Sequence, residues 1–309
     1  MRHHTGSGPR PTPPPGIDAR LDDPRVRAWA LVIGVVAVSS AAILVRVADA
    51  PALALALWRS GLGALALAPF AVRTGVVPRG RQRWLLVASG ALLAIHFTLW
   101  FVSLDMTTVA ASSVLVAMSP VVVGLGSAVL LHEPPARMTW AGLCLATAGA
   151  VVVAGADLGA VAGTRALVGD GLAFAAAVAA AGYLLLGRHA RRTLPVTVYA
   201  TWTYGTAAVL LLAACVMTGT GTGVGTYDGT TWLAIAGLVV GPQLLGHTVF
   251  NLVLARVSAT VVAVVIIAEP VGASVLAALL LHELPSGLFW VGAPLILSGV
   301  LLASWPRPS

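Results

Sequence analysis

The sequence contains no lysine, and charged residues of any kind make up only 9% of its 309 residues. Soluble globular domains carry about 25% charged residues and about 45–50% apolar ones. Hydrophobic residues reach 58% here, so we expect lipid to solvate much of the surface. The missing lysine excludes a P-loop ATPase, whose phosphate-binding motif requires one. It equally excludes a retinal pump that works through a lysine Schiff base.

Acidic residues are scarcer than basic ones, and the formal net charge is +7. A basic balance can indicate a nucleic-acid-binding protein. Here, however, the arginines lie in polar segments between apolar runs, which is typical of membrane topology. We therefore expect the protein to contact a lipid bilayer and no nucleic acid.

Metal-binding patterns are weak. The two cysteines, Cys144 and Cys215, lie in apolar runs, which favours small packing residues over a disulfide or a metal site. The segments HEPPA and HELPS begin like the zinc motif HExxH, but Ala136 and Ser286 replace its second histidine. We expect neither a metal nor a cofactor.

Long apolar runs dominate the rest of the chain. A transmembrane helix needs about 20 mostly apolar residues, and ten runs approach that length. Residues 1–27, rich in proline, arginine and glycine, predict a disordered tail. We thus predict an all-α integral membrane protein of ten transmembrane helices. The predicted spans are 28–47, 51–72, 84–104, 108–131, 138–156, 167–187, 196–218, 231–254, 258–281 and 285–304.

Arginine positions predict the orientation of these spans. With a cytoplasmic N-terminus, 15 arginines lie inside, Arg46 and Arg165 lie outside, and Arg59 lies within a span. This bias follows the positive-inside rule, and it predicts an inner-membrane protein with both termini cytoplasmic. An alternative is that 48–50, Ala-Asp-Ala, is a signal-peptide cleavage site. The preceding apolar run of about 18 residues is longer than the usual 7–15, which disfavours it.

The chain contains an internal repeat. Shifting the sequence by 150 residues aligns 119–152 with 269–302 without a gap, and a shift of 144 aligns the second span with the seventh. The coincident pairs are Pro120 and Pro270, His132 and His282, Trp140 and Trp290, Gly142 and Gly292, Gly149 and Gly299, Trp58 and Trp202, and Gly61 and Gly205.

These matches divide the chain into five-helix halves at 28–156 and 167–304. Because five is odd, the second half must cross the membrane in the opposite sense. Inverted repeats place a substrate site near the midplane and work by alternating access.

Several segments resemble the EamA-type permeases of the drug/metabolite transporter superfamily. They are VSSAAILVRVADAP, AIHFTLWFVSL, GYLLLGRHAR, GHTVFNLVLARV and EPVGASVLAALLLHE, and the resemblance extends over residues 30–304. It implies secondary transport, usually outward, with helices 1, 3, 4, 6, 8 and 9 around a central cavity. It does not identify the substrate.

Glu269 is the clearest candidate for a functional residue. It lies roughly 17 Å into the ninth span, where a charge costs at least ~2.5–3.5 kcal/mol. Pro270 follows it and loosens the local backbone. We expect Glu269 to couple protons to transport; the alternative is a structural glutamate bonded to that loosened backbone.

Two pairs of polar residues spaced four apart predict one cavity. His96 and Trp100 share a helix face, and so do His247 and Asn251. The 150-residue shift places Phe97 over His247, so both faces approach the same pseudo-symmetric site. The alternative is polar packing between helices.

Weaker candidates complete the site. Arg59 could pair with Glu269 or with a substrate carboxylate, while Tyr183 and Ser40, the latter next to Ser39, are predicted to line the cavity.

The function predicted from the sequence is export of small, amino-acid-like metabolites by a secondary transporter, with proton coupling left open. The alternatives are a drug efflux permease, a channel and a membrane-embedded enzyme. An enzyme is disfavoured, because the loops contain no nucleophile–base set and no metal-ligand set. The expected partners are a small-molecule substrate and the bilayer, and the sequence leaves a homodimer open.

Overall fold

A computed structural model of the chain describes residues 17–104, 106–107, 112, 115–155, 163–280, 282 and 287–305. Within these ranges the regular secondary structure is helical. The α-helices are α1 Pro24–Ser39, α2 Ala41–Val47, α3 Ala52–Arg73, α4 Arg81–Leu104, α5 Ser119–Leu130, α6 Arg137–Ala154, α7 Thr164–Ala190, α8 Val196–Thr218, α9 Gly229–Leu238, α10 Val249–Val253, α11 Ala259–Ile266, α12 Glu269–Leu280 and α13 Phe289–Ser304. A π-helix, Val239–Thr248, joins α9 to α10.

The N-terminal tail is ordered earlier than predicted. Residues Ile17–Asp22 form a 3₁₀ helix, and α1 begins at Pro24, so the expected disordered tail of 1–27 extends too far. Leu21 is fully buried, and the Asp22 carboxylate accepts a hydrogen bond from Arg256 Nε at 2.8 Å. These contacts explain why the end of the polar tail is helical. Residues 1–16 lie outside the described chain.

Seven helical segments of the described chain are long and apolar enough to cross a membrane. Three shorter apolar helices overlap the remaining predicted spans, parts of which lie outside the described ranges. The count of ten therefore stays a prediction. The seven segments are Pro24–Val45, Ala52–Arg73, Arg81–Ser103, Thr164–Ala190, Val196–Thr218, Gly229–Val253 and Ala259–Leu280, and the shorter ones are Ser119–Leu130, Arg137–Val153 and Phe289–Ser304.

The outer surface of the bundle is apolar. Leu65, Val129 and Leu233 are each about 70% exposed although they lie within helices of the bundle. Large apolar side chains exposed on several long helices indicate contact with another apolar phase. Lipid is the solvent that this surface requires.

The packing of equivalent helices reveals the symmetry of the repeat. A Cβ atom added to Gly61 of α3 would lie 3.6 Å from Cβ of Ala208 in α8, and one added to Gly205 would lie 3.9 Å from Cβ of Ala64. Gly61 is equivalent to Gly205 and Ala64 to Ala208 under the 144-residue shift. The contact is therefore isologous, with the same two positions contributed by each half.

Helices α6 and α13 repeat this arrangement under the 150-residue shift. A Cβ atom on Gly142 would lie 2.5 Å from the Gly299 carbonyl oxygen, and one on Gly149 would lie 2.7 Å from that of Gly292. Glycine at these positions lets the two backbones approach closely. In both helix pairs, residue numbers rise on one helix as they fall on the other, so equivalent helices run antiparallel. This is the geometry that an inverted repeat requires.

The repeat extends to backbone conformation. His132 and His282, which the 150-residue shift aligns, have φ angles of 56° and 57°. They are the two non-glycine residues with positive φ in the described chain. His132 follows helix α5, and the next backbone N–H, that of Glu133, returns to the Ser127 carbonyl oxygen at 2.9 Å. In the first half, the residues that resemble a zinc motif thus end a helix.

Candidate functional site

A buried arginine lies at the centre of the site. Arg59 of α3 is 5% exposed, and its Nε donates to Gln243 Oε1 at 2.9 Å. Its guanidinium carbon lies 4.7 Å from the centre of the Phe97 ring, a cation–π distance. Its Nη2 atom is buried without a hydrogen-bond partner. Arg59 therefore keeps its charge inside the bundle with one side of its donor fork unused.

Gln243 reaches Arg59 because of the π-helix. Pro242 lacks a backbone N–H, which weakens regular helical bonding there, and π segments are frequent at functional sites. The Thr248 hydroxyl donates to the Gln243 carbonyl oxygen at 3.0 Å. A Cβ atom on Gly63 of α3 would lie 2.8 Å from Gln243 Cγ, so the glycine makes room for the glutamine. Sequence reasoning missed Gln243, although a glutamine after proline in an apolar run was a visible signal.

A polar layer lies beside this pair. Asn251 Nδ2 donates to the hydroxyl oxygens of Tyr183 at 2.6 Å and Tyr204 at 3.2 Å. The Tyr204 hydroxyl lies 3.1 Å from that of Thr248. Asn251 is fully buried, and its Oδ1 has no partner. Asn251 is therefore fully enclosed in this polar layer. Tyr204 belongs to the same layer, although the sequence did not identify it as a site residue.

The predicted aromatic and histidine residues do come together. The His96 and Trp100 rings stack with centroids 6.0 Å apart, as a spacing of four on α4 predicts. His247 lies 6.1 Å from the Phe97 ring and 6.4 Å from the Tyr183 ring. His96 Nδ1 lies 3.0 Å from the Ala176 carbonyl oxygen. The histidines and Trp100 are each half-buried.

Glu269 lies where two interrupted helices meet. The ninth predicted span is interrupted between α11 and α12, and the first is interrupted at Ser40, between α1 and α2. The Ser39 hydroxyl lies 2.7 Å from the Val35 carbonyl oxygen and 3.1 Å from that of Glu269, and it packs against Gly272. The two interruptions are thereby joined.

The Glu269 side chain is half-buried and interacts electrostatically with Arg59. The alternative of a structural glutamate bonded to the loosened backbone is not tested by these contacts. The Ser39 hydroxyl donates to the Glu269 carbonyl oxygen, which is a backbone and not a side-chain atom of this residue. Ser40, the predicted cavity residue, donates its hydroxyl to the Ala37 carbonyl oxygen at 2.7 Å and lies near Gly241. Ser39 therefore contacts Glu269, whereas Ser40 bonds within its own turn, because neighbouring residues of a helix point about 100° apart.

A second polar cluster lies where the C-terminal ends of α5 and α7 meet. The Glu133 carboxylate accepts hydrogen bonds from Arg188 Nη2 at 2.8 Å and Arg192 Nη2 at 2.7 Å. Burial alone would raise the pKa of Glu133, but the two guanidinium groups outweigh it and hold that pKa below its ordinary value. We call these three residues the Glu133 cluster.

The Glu133 cluster ties together helices that are distant in sequence. Arg188 Nη1 donates to the Leu254 carbonyl oxygen at 2.6 Å, and the buried Arg191 donates through Nε to the Asn251 carbonyl oxygen at 2.9 Å. The ends of α5, α7 and α10 are therefore joined by arginine side chains. From the sequence these arginines indicated only topology.

Metal chemistry finds no support among the residues that the structure describes. No group of three or more His, Cys, Asp or Glu residues could hold a metal ion there. Both cysteines are free; Cys215 is buried as expected, whereas Cys144 is exposed on α6. The expectation that both are packing residues is therefore wrong for Cys144, because its face of the helix points outward.

Comparison of the sequence with models of known protein families identifies its family. The family model described as the EamA-like transporter family matches residues 27–155 and, separately, residues 167–305. The chain belongs to the EamA-like transporter family. This EamA-like protein is thus a multi-pass membrane protein of a family of membrane transporters, as its resemblance to EamA-type permeases indicated.

A solved structure has the same fold as this EamA-like protein. That structure, described only as "Crystal structure of protein", superposes with a TM-score of 0.78 at 21% identity, covering 91% of this chain and 97% of that chain. At this identity the likeness shows the fold alone. No curated protein matches the chain.

Proposed function

We propose that this protein is a secondary transporter that exports small, amino-acid-like metabolites across the inner membrane by alternating access. One observation carries the proposal. The contact between Phe97 and His247 joins equivalent positions of the two halves, and the only buried arginine within a long apolar helix, Arg59, lies against that same Phe97 in the described chain. Inverted-repeat transporters bind their substrates at such an interface.

The helix interruptions support movement of one half against the other. The first and ninth predicted spans are each interrupted, and they contact each other at Ser39 and Glu269. At both interruptions the backbone keeps right-handed helical angles but tightens to i→i−3 hydrogen bonds, from Ser40 N–H to the Ala37 carbonyl and from Ile267 N–H to the Val264 carbonyl. Such short 3₁₀ stretches within a helix often mark a hinge. Interruptions at the ends of helical segments can absorb the dihedral changes of a hinge. We assign the change of access to these two hinges.

Glu269 is the residue we propose for proton coupling. This residue is half-buried at a helix interruption, and its carboxyl group interacts electrostatically with Arg59. A change in its protonation would therefore alter the charge of the site directly. Ionisable residues at membrane depth commonly form proton relays.

The Glu133 cluster is proposed to hold one end closed in this conformation. By the arginine topology this end faces the cytoplasm. Its ion pairs join the ends of α5 and α7, and the hydrogen bond from Arg188 to the Leu254 carbonyl adds the end of α10. Opening toward the cytoplasm would require breaking these contacts. In this proposal both termini of the chain face the cytoplasm.

The polar centre favours a polar solute over an apolar drug. Arg59, Gln243, Asn251 and Trp100 each contribute a buried polar atom without a partner. A purely apolar molecule would leave all of these atoms unsatisfied, at an energetic cost. A drug efflux permease is therefore the weaker interpretation, and a channel or enzyme weaker still.

Export can be tested in cells. Cells that overproduce the wild-type protein and cells that overproduce Glu269→Gln would be compared for metabolites in the medium and the cytoplasm. We expect one or more amino-acid-like solutes to accumulate in the medium of the wild-type cells only. Identical profiles in both strains and in cells without the protein, at equal membrane levels, would contradict export.

A further inference from the structure

Arg59 is a buried cation without a neighbouring carboxylate at ion-pair distance. Within the described residues, the ion pairs with N···O distances up to 4.0 Å involve Arg188, Arg192 and Arg256. Arginine stays charged under all physiological conditions. A buried charge is tolerated when it is paired and hydrogen-bonded. Within the described residues Arg59 bonds to a neutral amide and lies against an aromatic face, and the Glu269 carboxyl interacts with it only from beyond ion-pair distance. This position is therefore prepared for an anion.

The unused donors lie on two adjoining side chains. The hydrogen bond from Arg59 Nε to Gln243 Oε1 holds these side chains together. Arg59 Nη2 and Gln243 Nε2 are both buried and without a partner. Each is an N–H donor, so the ligand that satisfies both must present acceptor oxygens.

The side chains around Arg59 restrict the chemical class of the ligand further. Phe97 covers one face of the guanidinium, which leaves its edge for in-plane hydrogen bonds. A carboxylate binds the edge of arginine with two oxygens in one plane. Trp100 Nε1 is a third buried donor without a partner, and its ring stacks with His96. The three hydrogen-bond donors without a partner at this site outnumber the one such acceptor, Asn251 Oδ1. This balance disfavours a cationic ligand.

We propose that Arg59 and Gln243 bind the carboxylate of the transported solute, whose apolar part packs against Phe97 and the stacked His96–Trp100 pair. This assignment rests on the proposed transport function and specifies its substrate as a carboxylic acid or an amino acid. Gln243 acts by binding substrate and by orienting Arg59.

Binding can be measured without knowing the natural substrate. The purified full-length protein in detergent would be heated with acetate, benzoate or phenylacetate, and separately with the matching amides and with benzylamine, at equal ionic strength. We expect at least one carboxylate to raise the melting temperature in a concentration-dependent way. We expect its amide and benzylamine to leave the melting temperature unchanged.

Variants then separate binding from folding. Gln243→Glu supplies an internal carboxylate to Arg59, so the protein should fold and should no longer respond to added carboxylates. Arg59→Lys keeps the charge but loses the planar fork, and the response should weaken at least tenfold in midpoint concentration. Gln82→Glu is the matched control, because Gln82 is the only other glutamine of the sequence and lies at the start of α4, outside the site. Its melting temperature should respond to carboxylates as that of the wild type does.

The outcomes distinguish this inference from the proposed function. Equal stabilisation by carboxylates and amides, no stabilisation by any carboxylate, or an undiminished carboxylate response in Gln243→Glu would overturn the carboxylate site. Export by the intact protein of a solute without an acidic group would overturn it too, while leaving alternating access standing. Absence of any exported solute would instead contradict the transport function itself.

Discussion

Phe97 and His247 contact each other with ring centroids 6.1 Å apart, although 150 residues separate them in the chain. They are equivalent positions of the two repeats. Two equivalent residues related by a two-fold axis can touch only where they lie next to that axis. The pseudo-two-fold axis therefore passes through the polar site, and Arg59 and Tyr183 flank it.

Membrane topology is the first prediction. Reporter fusions at 221–227, between α8 and α9, and at 159–164, mostly outside the described residues, should both give an external location. A C-terminal fusion should report the cytoplasm. The reason is the excess of arginine in the segments assigned to the inside. A cytoplasmic signal from either internal site would contradict the ten-helix topology.

Glu269→Gln should abolish or strongly reduce transport and remove its dependence on pH, because the amide keeps the shape of the side chain but cannot release a proton. The measurement is solute export between about pH 5.5 and pH 8 at equal membrane levels. Asp49→Asn is the matched control, since Asp49 is exposed outside the site. Normal, pH-dependent transport by Glu269→Gln would exclude this residue from coupling.

The Glu133 cluster predicts a pH-dependent stability. Because the folded pKa of Glu133 is lowered, its contribution is present above the unfolded pKa of about 4.3 and is lost as the pH falls through the folded value. Glu133→Gln should destabilise the protein by about 1 kcal/mol at pH 7. The difference from wild type should shrink in acid, as followed by thermal unfolding in detergent.

Asp22→Asn is the control for this measurement, because it removes a more exposed ion pair, that with Arg256. Its effect on stability should be small. If neither Glu133→Gln nor Asp22→Asn changed the free energy of unfolding at pH 7, the Glu133 cluster would have no role in holding the helix ends together.

The close approach of α6 and α13 makes Gly142 sensitive to substitution. Gly142→Ala should destabilise by about 1–3 kcal/mol, because the new Cβ atom meets backbone at 2.5 Å and neither helix can yield easily. Gly171→Ala in α7 is the matched control, since a Cβ atom there meets nothing within 4 Å. Alanine should stabilise that helix by about 0.5–1 kcal/mol. Thermal unfolding of both variants measures the contrast, and similar effects would refute the packing argument.

Cysteine accessibility tests which residues face the pathway. In a variant without Cys144 and Cys215, cysteines replacing His96, Trp100 or His247 should react with small polar thiol reagents, because these side chains are half-buried. A cysteine replacing the fully buried Asn251 should react much more slowly. Substrate should protect the reactive positions once it is known. Inertness at all of them would make these residues packing groups.

The sequence alone determined the class of the protein. Its hydrophobic content, arginine bias and repeat required a membrane protein of two related halves, because hydropathy and period are local properties that lipid constrains strongly. The repeat also aligns Phe97 with His247. Glu269 and Arg59 stood out because an ionisable group in an apolar run is costly and therefore rare.

Only the tertiary structure decided which groups meet. The hydrogen bond between Arg59 and Gln243 spans 184 residues and depends on a π-helix, while that from Ser39 to Glu269 depends on two interrupted helices. The Glu133 cluster likewise joins helix ends that no spacing rule relates. Periodicity describes one helix face at a time. Which faces pack together is set by close approach at positions such as Gly63 and Gly142, where a single added carbon would collide with a distant helix.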